Sequence, residues 1–277
     1  MTLQARGIGS DDDADLTSVP EIAGAQLLAR GLQIIFALRQ APLSTAQLAE
    51  LLELPVSNIY RMVQQLELCG MIERLANGDL VLGFRLLDLG RAVQERVDHD
   101  LAPRAIPAMQ ELTTQTGETT LLTVAVGLQA ACVLTVPSPR PIRLAFEPGR
   151  MLPLYRAASG RILLAWLRPR LIEQVLDEMQ PYINENGSQV TAASLRQILP
   201  QIREDGYCIT RSETDAGATG IAAPLLTNGG RLIGGLTIAG PSDRLHESRI
   251  PSLVAAVRAS ATEIETQYAR VNRRRKI

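Results

Sequence analysis

The chain has 277 residues, which is long for a single core, and 46% of them are hydrophobic, so two domains with buried interiors are expected. Its formal net charge is −1, which announces neither a nucleic acid nor a membrane as partner. The longest apolar runs, such as 162–167, cannot span a bilayer, and no basic segment followed by an apolar one opens the chain as a secretory signal would.

Cys69, Cys132 and Cys208 form an odd, scattered set that fits a reducing cytoplasm better than a disulfide framework. His99 and His246 are the only histidines, so no metal-ligand cluster is visible and no metal or other cofactor is expected.

Residues 1–22 carry Asp11, Asp12, Asp13 and Asp15 with little apolar content and read as a disordered arm. A first helix over 24–40 has Leu28, Leu32 and Ile35 as its inward stripe and ends before Ala41-Pro42. Arg30 lies near its start, within reach of a phosphate if the domain binds DNA and otherwise an ordinary surface arginine. The stretch 43–70 then reads as two short helices around a turn. Ser44 caps the first, and Gln47 completes a capping box. Leu48, Leu51 and Leu52 give that helix an apolar side, and Leu54-Pro55 ends it.

The second helix, 56–69, restarts with Ile59, Met62, Val63 and Leu66 on one face. Ser57, Asn58, Tyr60, Arg61, Gln64 and Gln65 remain on the other. All six form hydrogen bonds and only one is charged, a mixture suited to base edges and phosphates rather than to solubility alone. An ordinary helical hairpin with a solvated face would carry a similar pattern. The segment 71–83 that follows reads as a β-hairpin turning at Asn77-Gly78, which makes the whole a winged helix-turn-helix. Against DNA reading stands the charge of 21–83, where six acids face four arginines for a net −2.

A further helix over 84–98 presents Leu86, Leu89, Val93 and Val97 as a narrow stripe, suited either to a second copy of the chain or to its own wing. Leu101-Ala102-Pro103 marks a boundary. Beyond it the pattern is mixed: a helix over 104–116, strands over 119–126, 130–136 and 142–147, helices over 158–167, 170–179 and 194–204, strands over 207–213, 221–226 and 231–239, and a closing helix over 247–269. The tail 270–276 is basic. No Gly-x-Ser-x-Gly elbow, phosphate loop or dinucleotide fingerprint is present, and the sole lysine, Lys276, lies in the tail. The second domain therefore reads as a binding module rather than an enzyme. An enzyme, or a protein-interaction module, carrying a winged helix is the competing reading.

Several runs in order carry a resemblance: Arg30-Gly31-Leu32-Gln33-Ile34-Ile35 leading to 54–61, Gly117-Glu118-Thr119-Thr120, Pro148-Gly149 through Leu152-Pro153-Leu154-Tyr155, Ser159-Gly160-Arg161-Ile162-Leu163-Leu164-Ala165, and 206–241. From about 27 to 268 the chain resembles the isocitrate lyase regulator (IclR) family of bacterial transcription factors. The resemblance implies an α+β protein with an N-terminal winged helix-turn-helix over 23–83, a dimerising linker helix over 84–101, and a GAF/PAS-like effector domain over 102–277 with a mainly antiparallel sheet. It implies a cytoplasmic homodimer or dimer of dimers that binds double-stranded operator DNA and answers a small organic-acid effector, in control of a catabolic operon.

It also implies an effector pocket at Ala158, Ser159 and Gly160, with Thr210, Ala218-Thr219-Gly220, Thr237 and Ala239. Family members that bind small keto acids have Arg-Cys where this chain has Thr219-Gly220 and Ser-x-Ser at 237–239. The pocket is therefore expected to be less polar and roomier at Gly220, with Arg156 or Arg211 nearby to pair with an acid. On the helix-turn-helix reading, the residues expected to contact DNA are Arg30, Ser44, Ser57, Asn58, Tyr60, Arg61 and Gln64.

Overall fold

The computed structural model describes residues 19, 23–100, 102–184 and 187–274; the acidic arm before residue 19 and the last three residues of the basic tail lie outside them. The chain divides into two compact units between Glu95 and Arg96.

The first unit holds α1 (Gln26–Ala37), α2 (Thr45–Leu51), α3 (Val56–Leu68), β1 (Ile72–Arg74) and β2 (Leu80–Leu82), with α4 (Arg85–Asp100) crossing the division. Ser44 caps α2 as expected: its Oγ accepts from Gln47 N–H at 3.2 Å, and Gln47 Oε1 accepts from Ser44 N–H at 2.8 Å. The chain turns between α2 and α3 at Glu53, whose φ of 52° puts a side chain in the left-handed region. Ile59, Met62 and Val63 of α3 meet Ile34, Leu48, Ile72 and Leu80 in one core. β1 and β2 pair antiparallel, Ile72 opposite Leu82, and Gly78 at φ 91° makes the turn.

The inward stripe of α1 differs from the sequence expectation. Ala29, Ile34, Ala37 and Leu38 are buried, whereas Leu28 is 67% exposed and Leu32 is exposed as well. Apolar residues run almost all the way round this helix, so periodicity does not single out the face that meets the core. Leu51 of α2 is likewise exposed; only Leu48 and Leu52 of the expected trio are buried.

The second unit is built on a six-stranded antiparallel sheet of β3 (Thr119–Val126), β4 (Gln129–Val136), β5 (Met151–Pro153), β8 (Cys208–Arg211), β9 (Ala218–Leu226) and β10 (Leu232–Pro241), in the order β5-β4-β3-β10-β9-β8. Alternation along the strands loads both faces. Ile221, Ala223, Leu225, Leu236 and Ile238 pack against α5 (Ala102–Thr116) and α9 (Ile250–Arg274). Ala130, Cys208 and Ala222 face α6 (Ala157–Leu164), α7 (Pro169–Glu178) and α8 (Ala192–Asp205). A two-stranded ribbon, β6 (Tyr182–Ile183) with β7 (Gln189–Val190), was not expected from sequence.

The expected strand over 142–147 does not form. That segment joins no ladder; β4 pairs instead with β5, Ala131 opposite Met151. Pro139, Pro141 and Pro148 bracket it, and proline withholds the N–H that a ladder uses.

α6 lies close on the sheet because glycines face it. A Cβ on Gly235 would stand 2.8 Å from Ile162 Cγ2, and one on Gly220 would stand 3.3 Å from Ala158 Cβ. The helix is buried from Ala158 to Ala165.

Candidate functional site

Two sites follow from the sequence reading, one in each unit. On α3, Ser57, Asn58, Tyr60, Arg61 and Gln64 are all exposed, on the side opposite Ile59, Met62 and Val63. The other expected DNA contacts are placed differently. Ser44 is occupied in its capping box. Arg30 is half-buried and its Nη1 donates to Gln33 Oε1 at 3.0 Å. On the wing, Arg74 is spent on Glu67 at 3.0 Å and on the Gly78 carbonyl at 3.1 Å. Arg61 is thus the exposed arginine of the recognition face.

In the second unit, Ala158, Ser159, Thr210, Thr219, Gly220, Thr237 and Ala239 line one cavity. They converge from the start of α6 and from β8, β9 and β10. Leu121, Leu144, Phe146, Ala157, Glu213, Thr214 and Ala218 complete the wall, and the sequence reading had singled out Ala218 alone among these.

Three expectations about this site are corrected. Gly160 is not in the wall; a Cβ there would lie 2.9 Å from the carbonyls of Pro153 and Leu154, so its role is close packing. Arg211 is also outside the wall, its guanidinium held by Glu247 at 2.6 Å on the surface. Gly220 opens no extra room, since Ala158 Cβ fills the space beside it. The cavity is about 30 Å³, room for ordered water but far too small for an organic acid. Arg156, the other expected cation, stacks on the Tyr182 ring at 4.5 Å.

The electrostatics of the wall come from a group that sequence reasoning missed. Arg161 Nη2 lies 2.7 Å from Glu213 Oε2, with both side chains more than nine-tenths buried. Tyr182 donates to the same carboxylate oxygen at 2.8 Å and accepts from Arg161 at 3.0 Å, while Arg161 Nε donates to the Tyr155 carbonyl at 3.1 Å. Burial raises the Tyr182 phenol pKa, so it stays protonated and donates. Burial likewise pushes the nearby Cys208 thiol up to about 12, leaving it inert. Arg161 neutralises the one carboxylate of the wall, so an anionic ligand is not repelled. Sequence offered one signal for this group, the arginine inside the otherwise apolar run 159–165.

The hydroxyls of the wall are unequal. Thr210 Oγ1 accepts the Ala158 N–H at the start of α6 at 2.8 Å, and Thr219 Oγ1 pairs with Ser242 Oγ at 2.8 Å. Thr237 is 2% exposed, and its Oγ1 has no hydrogen-bond partner among the described residues. Ala157, in the wall at the start of α6, sits at φ 56°, and Ser212, just after β8, at φ 51°. Non-glycine residues in that region store strain of about 1–3 kcal/mol each, and such strain gathers at ligand sites.

The unpaired Thr237 hydroxyl gives a stability prediction. Thr237→Val keeps the shape and removes a buried group without a partner, and should stabilise the ligand-free protein by about 1 kcal/mol. Urea unfolding measures it; a loss of stability would show that the hydroxyl is satisfied.

Comparison with known proteins agrees with this architecture. The family model for the bacterial transcriptional regulator IclR C-terminal domain matches residues 94–266, and that for the IclR helix-turn-helix domain matches 27–76. The chain is 29% identical over 227 residues to the HTH-type transcriptional regulator KipR of Bacillus subtilis, covering 82% of this chain and 90% of KipR. It is 28% identical over 257 residues to the regulator KdgR of Escherichia coli, covering 92% and 96%. A crystal structure of an IclR homolog from Microbacterium hydrocarbonoxydans, complexed with 4-hydroxybenzoate, superposes with a TM-score of 0.67 at 26% identity over 87% of this chain and 98% of the other. The relatives are named as regulators rather than enzymes. A helix-turn-helix with its polar face outward and an antiparallel sheet carrying a small cavity are thus the two halves of a DNA-binding regulator, and the chain belongs to the IclR family of bacterial transcriptional regulators.

Proposed function

We propose that this regulator binds its operator through α3 and that occupancy of the C-terminal cavity by a small organic acid from a catabolic pathway modulates that binding. The observation that carries the effector half is Thr237: a buried hydroxyl without a partner, in a cavity that also receives the start of α6. A carboxylate or hydroxyl on the ligand gives Thr237 its missing partner. The relative complexed with 4-hydroxybenzoate supports an aromatic acid as the first class to try. The scattered free cysteines fit action in the cytoplasm, and no described helix is long and apolar enough to cross a membrane.

The test is a thermal-shift screen of the full-length protein against aromatic acids and small keto acids. A ligand at a hundredfold excess over its dissociation constant should stabilise the protein by about 2.7 kcal/mol. Thr237→Val should lose most of the response. A hit whose effect survives Thr237→Val unchanged binds elsewhere.

For DNA, Asn58 and Arg61 are assigned to base edges or phosphates, flanked by Ser57, Tyr60 and Gln64, with Ser44 and Arg30 toward the backbone. Arg61→Ala should weaken operator binding by about 1–3 kcal/mol if the contact is to a base, without unfolding the protein. Titration of a labelled promoter fragment against the folded variant decides, and an unchanged affinity removes Arg61 from the interface.

A homo-oligomer completes the reading. Leu89 and Val93 of α4 are exposed in the single chain and Leu86 is half-buried, as a linker helix awaiting a second copy requires; the side chain of Val97 lies outside the described residues. Leu89→Glu with Val93→Glu should drive the protein toward monomer and cost operator binding, because paired half-sites need linked readers. Light scattering checks this: an unchanged mass would place the stripe against its own chain.

A further inference from the structure

The run Gly117-Glu118-Thr119-Thr120 has no part in the DNA reading, and none of its residues lines the cavity. The structure gives it a task at the cavity's outer wall. Glu118 is fully buried and takes a two-pronged ion pair from Arg244, at 2.7 Å from Nε to Oε1 and 2.6 Å from Nη2 to Oε2. The same Nη2 donates to the Ile142 carbonyl at 3.1 Å. Thr119 Oγ1 donates to the Leu144 carbonyl at 3.0 Å and accepts from Ser138 N–H at 3.2 Å. Ser138 Oγ donates to the Gly117 carbonyl at 2.7 Å. The bonds to Ser138, Ile142 and Leu144 tie down the segment 138–144, which runs into the stretch 142–147 that was expected to be a strand and is not one.

That stretch covers the cavity. Leu144 and Phe146 line it, and they pack against Leu121, Cys132 and Ala239 below. A cavity of about 30 Å³ is far too small for an organic acid, so such a ligand needs a wall to move. Moving α6 would uncover Ile162, Leu163 and Leu164, all fully buried, and moving a strand would break its ladder. Lifting 138–149 breaks no ladder and uncovers Leu144, which is already half-buried, and Phe146. Ile142 at its crest is 74% exposed. The far end is tied by Gly149 N–H to the Cys132 carbonyl at 2.8 Å.

We propose that residues 138–149 form a gate over the cavity and that Glu118, Thr119 and Arg244 are its latch. The proposal rests on the cavity being the effector site and says how that site opens. The gate swings between Ser138 and Gly149; the latch holds it by carbonyl groups, so it is indifferent to most side chains on the gate itself.

Cys132 reports the motion without any ligand. It is buried beneath Leu144 and Phe146, whereas Cys208 is buried in the separate core under α6. Alkylation of the folded, full-length protein by iodoacetamide, read by mass spectrometry, follows both at once, because a buried thiol reacts only as fast as its cover opens. Thr119→Val removes two latch bonds and should speed the Cys132 reaction about fivefold, the equivalent of a hydrogen bond of about 1 kcal/mol. Arg244→Lys keeps a cation opposite Glu118 but gives up the fork that also holds Ile142, and should act in the same direction. The Cys208 rate should stay as in the parent. Equal Cys132 rates in the parent and both variants overturn the proposal, as does a Cys208 rate that climbs in step with Cys132. A thermal-shift screen without a hit would remove the effector reading and leave this measurement standing.

Discussion

The close approach of α6 to the sheet is the constraint on which the second unit depends. Gly220 and Gly235 let the helix settle where any side chain would hold it off. Its buried run from Ala158 to Ala165 then fills the layer between sheet and α8, and its first N–H groups arrive at strand height. From that single placement follow the Thr210 bond to Ala158 N–H, the small volume of the cavity and the position of Arg161 behind its wall. A looser packing would give a larger cavity, but its donors would lie out of reach of a ligand and its empty space would cost stability.

Two buried ion pairs stand at different sides of this site and act differently. Arg161–Glu213 is closed in by Tyr182 and the Tyr155 carbonyl, so every charge is met inside the protein. It sets the charge of the cavity wall at zero. Glu118–Arg244 is asymmetric: the carboxylate is fully buried while the guanidinium keeps a fifth of its surface in solvent. Removing Arg161, Glu213 or Arg244 strands a buried charge, a loss of about 3–5 kcal/mol, which is far more than such a pair contributes over a well-packed apolar one. Buried pairs are therefore better understood as fixing position than as adding stability, and both fix elements that border the cavity.

Much of this was legible in the sequence, and the parts that were not share a cause. The capping box at Ser44, the core stripe of Ile59, Met62 and Val63, and the turn at Gly78 are local, encoded within a few residues. Eight cavity residues, Ala218 among them, came from a family resemblance, since only the folded sheet brings 158, 210 and 237 together. What misled was long-range packing. Leu28 and Leu32 looked inward because α1 is apolar on nearly every side. Gly220 looked like added room because sequence shows what a residue lacks and not what moves in beside it. Arg211 looked like a ligand partner because its nearness in sequence does not reveal Glu247, which takes it. The segment 142–147 has the composition of a strand, but the prolines around it and the pairing of β4 with β5 leave it outside every ladder.

A cavity too small when empty for an organic acid has a consequence for sensing. If the ligand binds only when the gate is lifted, its apparent dissociation constant is the intrinsic one divided by the fraction of molecules that are open. The latch then sets sensitivity as firmly as the wall sets specificity, and the two are carried by different residues: Glu118, Thr119 and Arg244 for the first, Thr237 and its neighbours for the second. A ligand that then lets the gate close over it gains the seal of Leu144 and Phe146 only if its volume can be accommodated. A small acid would permit closure and a bulky one would hold the gate up. The two outcomes are distinct states of the domain, and a regulator needs such a pair of states, because a ligand shifts an equilibrium only by the difference in its affinity for each.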